Sequence, residues 1–446
     1  MSNTELRALT ALGFDELRQA TGGLGAIHQA LAGRVFRAVG PGAALVRPVH
    51  ERITRGVYAG LGLGTRAIGL AAQAAVARRE APMLSTTPRG SALIAAVTGL
   101  RGDALEAEGS PLCQPMAVRV KGRPVALDAD SLREAFPGAT PRIVVFLHGL
   151  METEFSWALA GRETYGERLA RELGCTPVYV RFNSGRHISE NGRSLSELME
   201  ELVAAWPGGA GEIALVGHSM GGLVVRSACC HAAQDDADWV RLVRQSVSLG
   251  SPHLGAPLEQ AVHVLSAGLA ALPETRPIAN LLRRRSGGIR DLRQGSLVDE
   301  DWRDRDPDAL LAAACAEVPL LEGATHCFVS ATITRSDRHP FGRLLGDTLV
   351  LAPSASGRGR TRRIPFDEEY GMHVGGATHF ALLNHPAVYE RLRDWLAAAR
   401  RASGSRSRQS SSTSEPWRRS RMPALRRRRN AAIGRVSGRA LKAAAA

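Results

Sequence analysis

The feature that most constrains the fold is an alternation of short apolar segments with amphipathic stretches, which begins at residue 142. Helical patterns such as SLSELMEELVAAW (194–206) and MGGLVVRSACCHAAQ (220–234) separate the apolar segments. Continuous apolar strands that alternate with helices predict an α/β fold, in which a mostly parallel sheet is covered by helices on both faces. The predicted strands are IVVFLHG (143–149), PVYVRFN (177–183), EIALVGHS (212–219), SVSLGS (246–251) and HCFVSATI (326–333).

Three parts are expected along the chain. Residues 1–135 predict a helical N-terminal extension that ends in a short hairpin around Gly122, and residues 136–400 predict the α/β domain. Within that domain, residues 254–320 interrupt the alternation with Pro, Gly and Arg and predict an inserted cap or lid. An amphipathic last helix over 384–401 precedes residues 401–446, whose Ser and Arg content predicts a disordered tail.

The positive charge of the chain is concentrated in this tail. The formal net charge is +14, and residues 401–446 hold 13 Arg or Lys against one acid, so they supply +12 of it. The first 400 residues are therefore close to neutral and create no general field for polyanions, so we expect no specific nucleic-acid partner.

The most apolar part of the extension is GVYAGLGLGTRAIGLAAQAAVA, residues 56–77. Arg66 lies near its middle, and Ala and Gly gain little free energy in a bilayer, so the segment favours a packed helical hairpin or a surface-bound helix over a membrane span. The first thirty residues lack a basic region followed by an apolar run, which argues against a secretory signal. We expect a cytoplasmic location, with peripheral membrane association as the open alternative.

The six cysteines are scattered and form no C-x-x-C pair. This spacing predicts neither a zinc site nor a dense disulfide framework. A reducing compartment fits the pattern best.

Ser219 lies in VGHSMGG (216–222), between an apolar strand and a helical run. A sharp turn from strand to helix, with small neighbours on both sides, is what holds a nucleophilic serine at the end of a strand. The alternative is a Gly-rich turn that binds phosphate and carries a bystander serine. The flanking strand and helix favour Ser219 as the nucleophile.

A serine hydroxyl needs a base to take its proton, and the base needs an acid to fix its tautomer. His379, in a loop before the last helix, is the favoured base; His373 is a rival, and His385 is expected to be a helix-cap residue. The favoured acid is Asp347 in FGRLLGDTLVLAPSA, ahead of a strand-like run. Asp337 is the alternative acid, and its charged neighbours predict a solvated turn.

Two backbone amides are expected to stabilise the oxyanion of an acyl-transfer reaction. One belongs to Met220, directly after the serine, and the other to Leu150, in the loop after the strand over 143–149. His148 precedes Gly149 at the end of that strand, and we expect it to orient the loop by hydrogen bonding rather than act as a second base.

With these residues the chain resembles lipases and esterases of the α/β-hydrolase superfamily, particularly bacterial relatives of the GPI inositol-deacylase-like group. The resemblance implies an α/β-hydrolase fold and ester hydrolysis by Ser219, Asp347 and His379, with Leu150 and Met220 as oxyanion donors and without metal or organic cofactor. The matching stretches are VVFLHGL, YVRFNSGRHISENGRSL, LVGHSMGGLVVR, SLGSPHLGAPLE, GDTLV and THFALLNHP, within about residues 142–400.

One position departs from the pattern of this superfamily. Many lipases of this kind carry a glycine directly after the triad aspartate, whereas Thr348 follows Asp347 in this chain.

The functional hypothesis is a serine carboxylester hydrolase that acts through an acyl-enzyme on a small-molecule or lipid ester. The expected cap and the apolar extension indicate lipid or long acyl chains. Acyl transfer to an alcohol by the same triad is the enzymatic alternative. A non-catalytic adaptor that associates with membrane or nucleic acid is an alternative from a different class, suggested by the Arg-rich tail.

Overall fold

The computed structural model describes residues 3–39, 46–77, 83–257, 259, 269, 273, 275–307, 315–336, 338–359 and 362–409. The strands are β1 (Ala117–Val120), β2 (Arg123–Pro124), β3 (Arg142–Leu147), β4 (Thr176–Arg181), β5 (Glu212–His218), β6 (Val243–Leu249), β7 (Thr325–Thr332) and β8 (Gly371–Gly375). The helices are α1 (Thr4–Val39), α2 (Val46–Ala77), α3 (Pro88–Ala107), α4 (Ala129–Ala135), α5 (Tyr165–Leu173), α6 (Ile188–Ala205), α7 (Met220–Gln234), α8 (Arg276–Arg283), α9 (Gly287–Asp291), α10 (Pro340–Leu345), α11 (Ala352–Ala355) and α12 (Pro386–Gln409).

All eight strands form one sheet, in the order β2-β1-β4-β3-β5-β6-β7-β8. The six strands from β4 to β8 in that order are parallel to their neighbours, while β1 is antiparallel to both β2 and β4. The predicted α/β class with a mostly parallel sheet is therefore confirmed. The hairpin predicted around Gly122 is β1–β2, and its pairing with β4 makes it the edge of the sheet.

β3 shows why the chain folds into a sheet with two covered faces. Its residues 143–147 are almost completely buried, and successive side chains point to opposite faces. Ile143, Val145 and Leu147 belong to the core that includes side chains of α6 and α7, whereas Val144 and Phe146 belong to the core that includes α5 and α12. A continuous apolar run is thus required here rather than an alternating one.

The turns that carry the predicted site residues begin at the carboxyl ends of the parallel strands. Gly149 follows β3, Ser219 follows β5, Gly250 follows β6 and His379 follows β8. α5, which connects β3 to β4, and α6, which connects β4 to β5, lie on opposite faces of the sheet. The order of the strands therefore reverses direction at β4. In open α/β sheets the ligand site lies outside the carboxyl ends of the strands at such a change of direction.

One local prediction near the end of the domain was wrong, and one strand was missed. The strand-like run after Asp347 forms no strand, because the Asp347 side chain accepts hydrogen bonds from the amides of Leu349 and Val350 and turns the chain into α11. The last strand is instead β8, whose sequence GMHVG contains two glycines and a histidine and lacks the apolar pattern of the other strands.

The N-terminal extension is built from long helices. α1 and α2 pair as a hairpin, in which the Asn3 side-chain amide donates to the Val76 carbonyl and Gly69 lies against Phe14. Within the described ranges, no helix combines the length and the apolarity that crossing a bilayer requires. The extension continues into α3, which packs on the α/β domain.

The predicted cap and tail are described only in part. Between β6 and β7 the structure contains α8 and α9, and α9 packs on α3 and α6. α12 continues to Gln409, and residues 410–446 of the predicted tail lie outside the described residues.

Candidate active site

Ser219 occupies a strained turn between β5 and α7. Its backbone has φ 51° and ψ −121°, a conformation that residues with a side chain rarely adopt. The Ser219 amide donates to the Leu249 carbonyl of β6 at 2.8 Å. A Cβ atom at Gly221 would lie 2.5 Å from the Leu147 carbonyl oxygen, and one at Gly222 would lie 2.1 Å from Ser251 Oγ. The glycines of the motif are therefore required for the close approach of neighbouring backbones.

His379 and Asp347 form a buried hydrogen-bonded pair. His379 Nδ1 lies 2.8 Å from Asp347 Oδ2, and the His379 amide also donates to the Asp347 carbonyl at 2.8 Å. Both side chains are at most 2% exposed. The second carboxylate oxygen accepts from the amides of Leu349 and Val350 at 3.0 and 2.8 Å. The carboxylate thus holds the tautomer whose Nε2 is unprotonated and able to accept a proton.

The rival residues of the sequence analysis lie elsewhere. His373 is in β8, where its ring nitrogens lie within hydrogen-bonding distance of the Ser330 and Thr332 hydroxyls. His385 Nδ1 accepts from the Ala387 amide at 3.2 Å, which confirms the expected helix-cap role. Asp337 lies outside the described residues.

Ser219 and His379 converge at the carboxyl ends of the parallel strands. The ring of His218, directly before Ser219, lies 4.7 Å from the His379 ring between centroids. Gly250 follows the residue that accepts the Ser219 amide, and a Cβ atom at Gly250 would lie 3.3 Å from His379 Nδ1. Among the described residues, the Ser219 hydroxyl makes no hydrogen bond to His379.

The two expected oxyanion donors lie on either side of Ser219. The Met220 amide is at the first position of α7, where an amide has no acceptor within its own helix. Leu150 is in the loop after β3, and a Cβ atom at Gly149 in this loop would lie 3.0 Å from Ser219 Cβ. Within the described part of the chain, the Leu150 amide donates to no other group.

His148 fixes the loop after β3 through hydrogen bonds of its ring. Its Nδ1 lies 2.8 Å from the Gly149 carbonyl oxygen, and its Nε2 accepts from the Phe182 amide at 3.2 Å. The ring also stacks on Phe182 with a centroid distance of 4.2 Å. Burial lowers the pKa of His148, so the ring stays neutral with one donating and one accepting nitrogen. The hydrogen-bonding role predicted for His148 is confirmed.

A buried Glu152–His218 pair was missed by the sequence analysis. Glu152 Oε1 lies 2.9 Å from His218 Nδ1, and Glu152 Oε2 accepts from the Gly149 amide at 2.9 Å. His218 Nε2 lies 3.2 Å from the His379 carbonyl oxygen. Through this pair, hydrogen bonds join the loop after β3 to the turn at Ser219 and to the loop of His379.

The surroundings of His218 favour its charged form. Burial is the strongest single influence and by itself lowers the pKa, but the Glu152 carboxylate and the His379 carbonyl outweigh it, so the pKa of His218 is raised. Burial likewise tends to raise the pKa of Glu152, yet attraction to His218 outweighs this and the pKa is lowered. Both ring nitrogens of His218 face acceptors, as an imidazolium requires. The sequence signal was a Glu three residues after Gly149, but Glu154 in the same loop, which pairs with Arg181, offered the same signal.

The N-terminal extension contributes to the rim of the site. Asn183 Nδ2 donates to the Gly102 carbonyl of α3 at 3.0 Å, and a Cβ atom at Gly185 would lie 2.1 Å from the Thr98 carbonyl oxygen. The neighbouring Ser184 Oγ accepts from the Met151 amide in the loop after β3. α3 thus supports the loop after β4, which in turn supports the loop that carries Leu150.

Comparison with known proteins agrees with this architecture. Residues 179–302 match the family model described as PGAP1-like alpha/beta domain, a span that contains Ser219 and the strands on either side of it. The eight-stranded, mostly parallel sheet with helices on both faces is an α/β-hydrolase-like fold. No curated protein matches the sequence.

Several solved structures are similar to this α/β-hydrolase domain. The mature lipase of Bacillus licheniformis is 19% identical, with a TM-score of 0.36, and the match covers 56% of this chain and 91% of the lipase. A lipase-esterase related protein from Clostridium acetobutylicum is 12% identical, with a TM-score of 0.33, over 58% of this chain and 96% of that protein. The Staphylococcus hyicus lipase is 12% identical, with a TM-score of 0.36, over 59% of this chain and 97% of the lipase.

Proposed function

We propose that this α/β-hydrolase is a serine carboxylester hydrolase that acts through an acyl-enzyme on lipid or other acyl esters. One observation carries the proposal: Ser219 is held at φ 51° in the turn after β5, beside the buried His379–Asp347 pair. A serine at a positive φ is strained, and such strain is typical of a nucleophile that must project from a strand end.

In the proposed first half-reaction, Ser219 Oγ attacks the ester carbonyl while His379 Nε2 takes the hydroxyl proton. Asp347 accepts a hydrogen bond from His379 Nδ1 and stabilises the imidazolium that forms. The amides of Leu150 and Met220 would donate to the oxyanion. When the tetrahedral intermediate collapses, His379 returns the proton to the leaving alcohol and the acyl group stays on Ser219.

In the second half-reaction, water attacks the acyl-enzyme. His379 takes a proton from the water and gives it to Ser219 Oγ as the carboxylic acid leaves. An alcohol in place of water would give a transesterified product by the same steps. Product analysis with added alcohols separates hydrolysis from acyl transfer.

An apolar side chain beside the base supports an acyl substrate. Phe380 follows His379 directly and is 46% exposed, with its ring centroid 5.7 Å from that of the base. An exposed phenyl ring at this place offers apolar contact for the acyl part of an ester. We therefore propose that turnover increases with acyl-chain length among soluble esters.

The first test compares wild type with Ser219→Ala on p-nitrophenyl esters of different chain lengths. We expect the substitution to lower kcat by at least about 10³-fold, because oxyanion stabilisation and binding alone supply only a small residual rate. Ser131→Ala is the matched control, since Ser131 lies on α4, before the amino end of β3, and should leave kcat unchanged. Equal activity of wild type and a properly folded Ser219→Ala protein would favour the adaptor alternative instead.

A further inference from the structure

The α1–α2 hairpin carries a large apolar surface that faces solvent. Of the nineteen exposed large apolar side chains of the described residues, eleven lie on these two helices. Single exposed apolar residues are normal on protein surfaces, whereas such a concentration marks an interaction surface. The eleven residues are Leu17, Leu24, Leu31, Val35, Val49, Ile53, Val57, Leu61, Leu63, Ile68 and Leu70.

On α1 the exposed apolar residues form one stripe. Leu17, Leu24, Leu31 and Val35 are spaced by 7, 7 and 4 residues, which places them on the same face of a helix. Each is between 50% and 61% exposed. The face that α1 turns toward solvent along this stripe is therefore apolar over more than half of the helix.

On α2 the apolar surface is wider. Val49, Ile53, Val57 and Leu61 follow each other at intervals of four, while Leu63 and Leu70 extend the surface to one side. Gly56, Gly60 and Gly64 lie between these side chains and add no polar group. All seven large residues of the set are between 52% and 68% exposed, so the outward half of α2 is apolar.

The charges of the hairpin lie beside this surface and are mostly positive. Arg52, Arg55 and Arg66 fall along one edge of the apolar face of α2 by helical spacing. The acid of α2, Glu51, pairs with Arg47 and Arg55, while Arg52 and Arg66 pair with no acid among the described residues. Together α1 and α2 hold eight arginines and four acids, a net charge of +4.

A groove between the two helices has both apolar and basic side chains in its lining. It has a volume of about 630 Å³ and is lined by Arg66, Leu63 and Tyr58, and by Arg18, which pairs with Asp15 of the same groove at 3.5 Å. Arginine side chains next to apolar residues can hold phosphate groups while their stems contact hydrocarbon. Arg66, which pairs with no acid among the described residues, is therefore the side chain of the groove that suits the phosphate of a lipid headgroup.

We propose that the α1–α2 hairpin docks on the surface of an anionic lipid bilayer. The stripe of α1 and the outward half of α2 lie in the interface, and the arginines along the edge contact lipid phosphates. An amphipathic helix with a wide apolar face and a basic edge is bound in this way by burial of apolar area and by attraction to anionic headgroups. A second copy of the chain is a poorer occupant, because a symmetric contact would bring the two basic edges together.

The test measures co-flotation of the full-length protein with phosphatidylcholine vesicles that contain or lack phosphatidylglycerol. The Ser219→Ala protein is used throughout, so that lipid hydrolysis does not affect the result and the binding is judged separately from the proposed activity. Moderate salt weakens the attraction of the Arg-rich tail and of the hairpin arginines alike, so the variants below separate the hairpin from the tail. We expect binding to the anionic vesicles and at least about tenfold weaker binding to neutral ones. Equal affinity for both, or no binding, would overturn the proposal.

Two variants locate the binding surface. The triple variant Ile53→Gln, Leu61→Gln, Ile68→Gln removes apolar area from α2 and should weaken binding at least about tenfold. The matched control makes three equivalent substitutions at exposed positions outside the hairpin, Leu93→Gln, Leu100→Gln and Leu344→Gln, and should bind as the parent does. Circular dichroism checks that helicity is retained.

Unchanged binding of the α2 triple variant would contradict the assignment of the surface. Light scattering without vesicles measures whether the protein forms a dimer through this surface. A dimer that dissociates in the α2 variant but not in the control would show that a second copy covers this face, and would overturn docking on lipid.

Discussion

At the scale of single residues, the buried Glu152–His218 pair next to Ser219 has the clearest consequences. His218 can donate to Glu152 and to the His379 carbonyl at the same time only when its ring is charged. Its charge in turn keeps Glu152 ionised, and Glu152 holds the Gly149 amide. The pair acts on the proposed reaction through the loops that it positions.

The two groups of the pair define a pH range of stability. The pKa of His218 is raised, so its contribution is complete below the unfolded value of about 6.5 and is lost as pH rises through the folded value. The pKa of Glu152 is lowered, so its contribution is present above about 4.3 and is lost as pH falls through the folded value. The pair therefore stabilises the fold most between these limits.

Glu152→Gln should lower the free energy of unfolding by about 3 to 5 kcal/mol near neutral pH, because it leaves a buried imidazole without its charge partner. The difference from wild type should shrink as pH rises through the folded pKa of His218, where wild type also loses the charge. Denaturant titrations across this range measure the effect. We also expect kcat of the folded variant to fall about 10²-fold through displacement of the loop after β3.

Asp291→Asn is the matched control for this variant. Asp291 also pairs with a histidine, His187, at 3.0 Å, and also accepts from a backbone amide, that of Ile188. The substitution should destabilise the protein and lower kcat of the folded fraction much less than Glu152→Gln does, because Asp291 contacts the end of the loop after β4 and not the loop that carries Leu150. A loss of kcat in Asp291→Asn as large as that in Glu152→Gln would contradict a positioning role specific to Glu152.

Thr348 has a strained backbone, which the sequence analysis did not predict. It stands where many similar lipases have glycine, and its backbone has φ 94°, which a β-branched residue adopts only at a cost. The turn is nevertheless held by Asp347, whose side chain accepts from the two amides that follow. The departure from the common pattern thus changes the strain of the turn and leaves the contact of Asp347 with His379 intact.

Thr348→Gly should raise the free energy of unfolding by about 1 kcal/mol, since relief of strain exceeds the added entropy of the unfolded chain. Thermal unfolding measures the gain as a higher Tm. Thr348→Ala keeps the Cβ atom and the strain, and because the side chain is exposed it should change stability by less than about 0.5 kcal/mol. A Tm of the glycine variant below that of the alanine variant would show that Thr348 is not strained.

At the scale of elements, α3 links the extension to the candidate site. It contacts the loop after β4, and that loop holds the Met151 amide through Ser184 Oγ. A close approach of backbones at Gly185 makes this contact possible, because a side chain there would meet the Thr98 carbonyl. The rim of the site therefore depends on a helix outside the predicted hydrolase domain.

Gly185→Ala should displace α3 from the loop after β4 and lower kcat/KM about 10²-fold, with a loss of stability of about 1 to 3 kcal/mol from overpacking. Gly138→Ala is the control, since a Cβ atom there would meet no neighbour within 4 Å. Steady-state kinetics and thermal unfolding of both variants check this. Wild-type kinetics in Gly185→Ala would mean that α3 does not position the loops.

Elements with strong local patterns could be predicted from the sequence, and those with weak patterns could not. β3 and β5 are buried on both faces, so their apolar runs were sufficient to predict them as strands. β8 lies at the edge of the sheet, and its pairing with β7 rather than its own side chains makes it a strand. The run after Asp347 has an apolar pattern, but the hydrogen bonds of the Asp347 side chain turn it instead.

At the scale of the whole molecule, the candidate site combines positions that are far apart in the sequence. The contact between Asp347 and His379 could be expected from the types and order of these residues, because an acid and a base that act together each require a particular side chain in a particular context. The Glu152–His218 pair could not be predicted, because its meaning depends on a contact between residues 66 positions apart. The role of α3 could not be predicted either, because it depends on packing against the loop after β4, which is far away in the sequence.

The hairpin and the catalytic domain are also joined across long sequence distances. Glu5, at the start of α1, accepts from the Ser85 amide at 2.9 Å and from the Gln114 side-chain amide at 2.8 Å, and is itself buried. Glu16 pairs with Arg101 of α3. The surface proposed to bind lipid is thus attached to the same helix that supports the rim of the candidate site.

The central claim is that Ser219 is a nucleophile activated by His379, and covalent labelling tests it most directly. The protein is treated with a fluorophosphonate, and the modified residue is identified by peptide mass spectrometry. We predict a single adduct on Ser219, with labelling slowed at least about 10²-fold in a folded His379→Ala variant. Absence of the adduct on Ser219 in the folded wild-type protein, or labelling at the same rate without His379, would contradict the account.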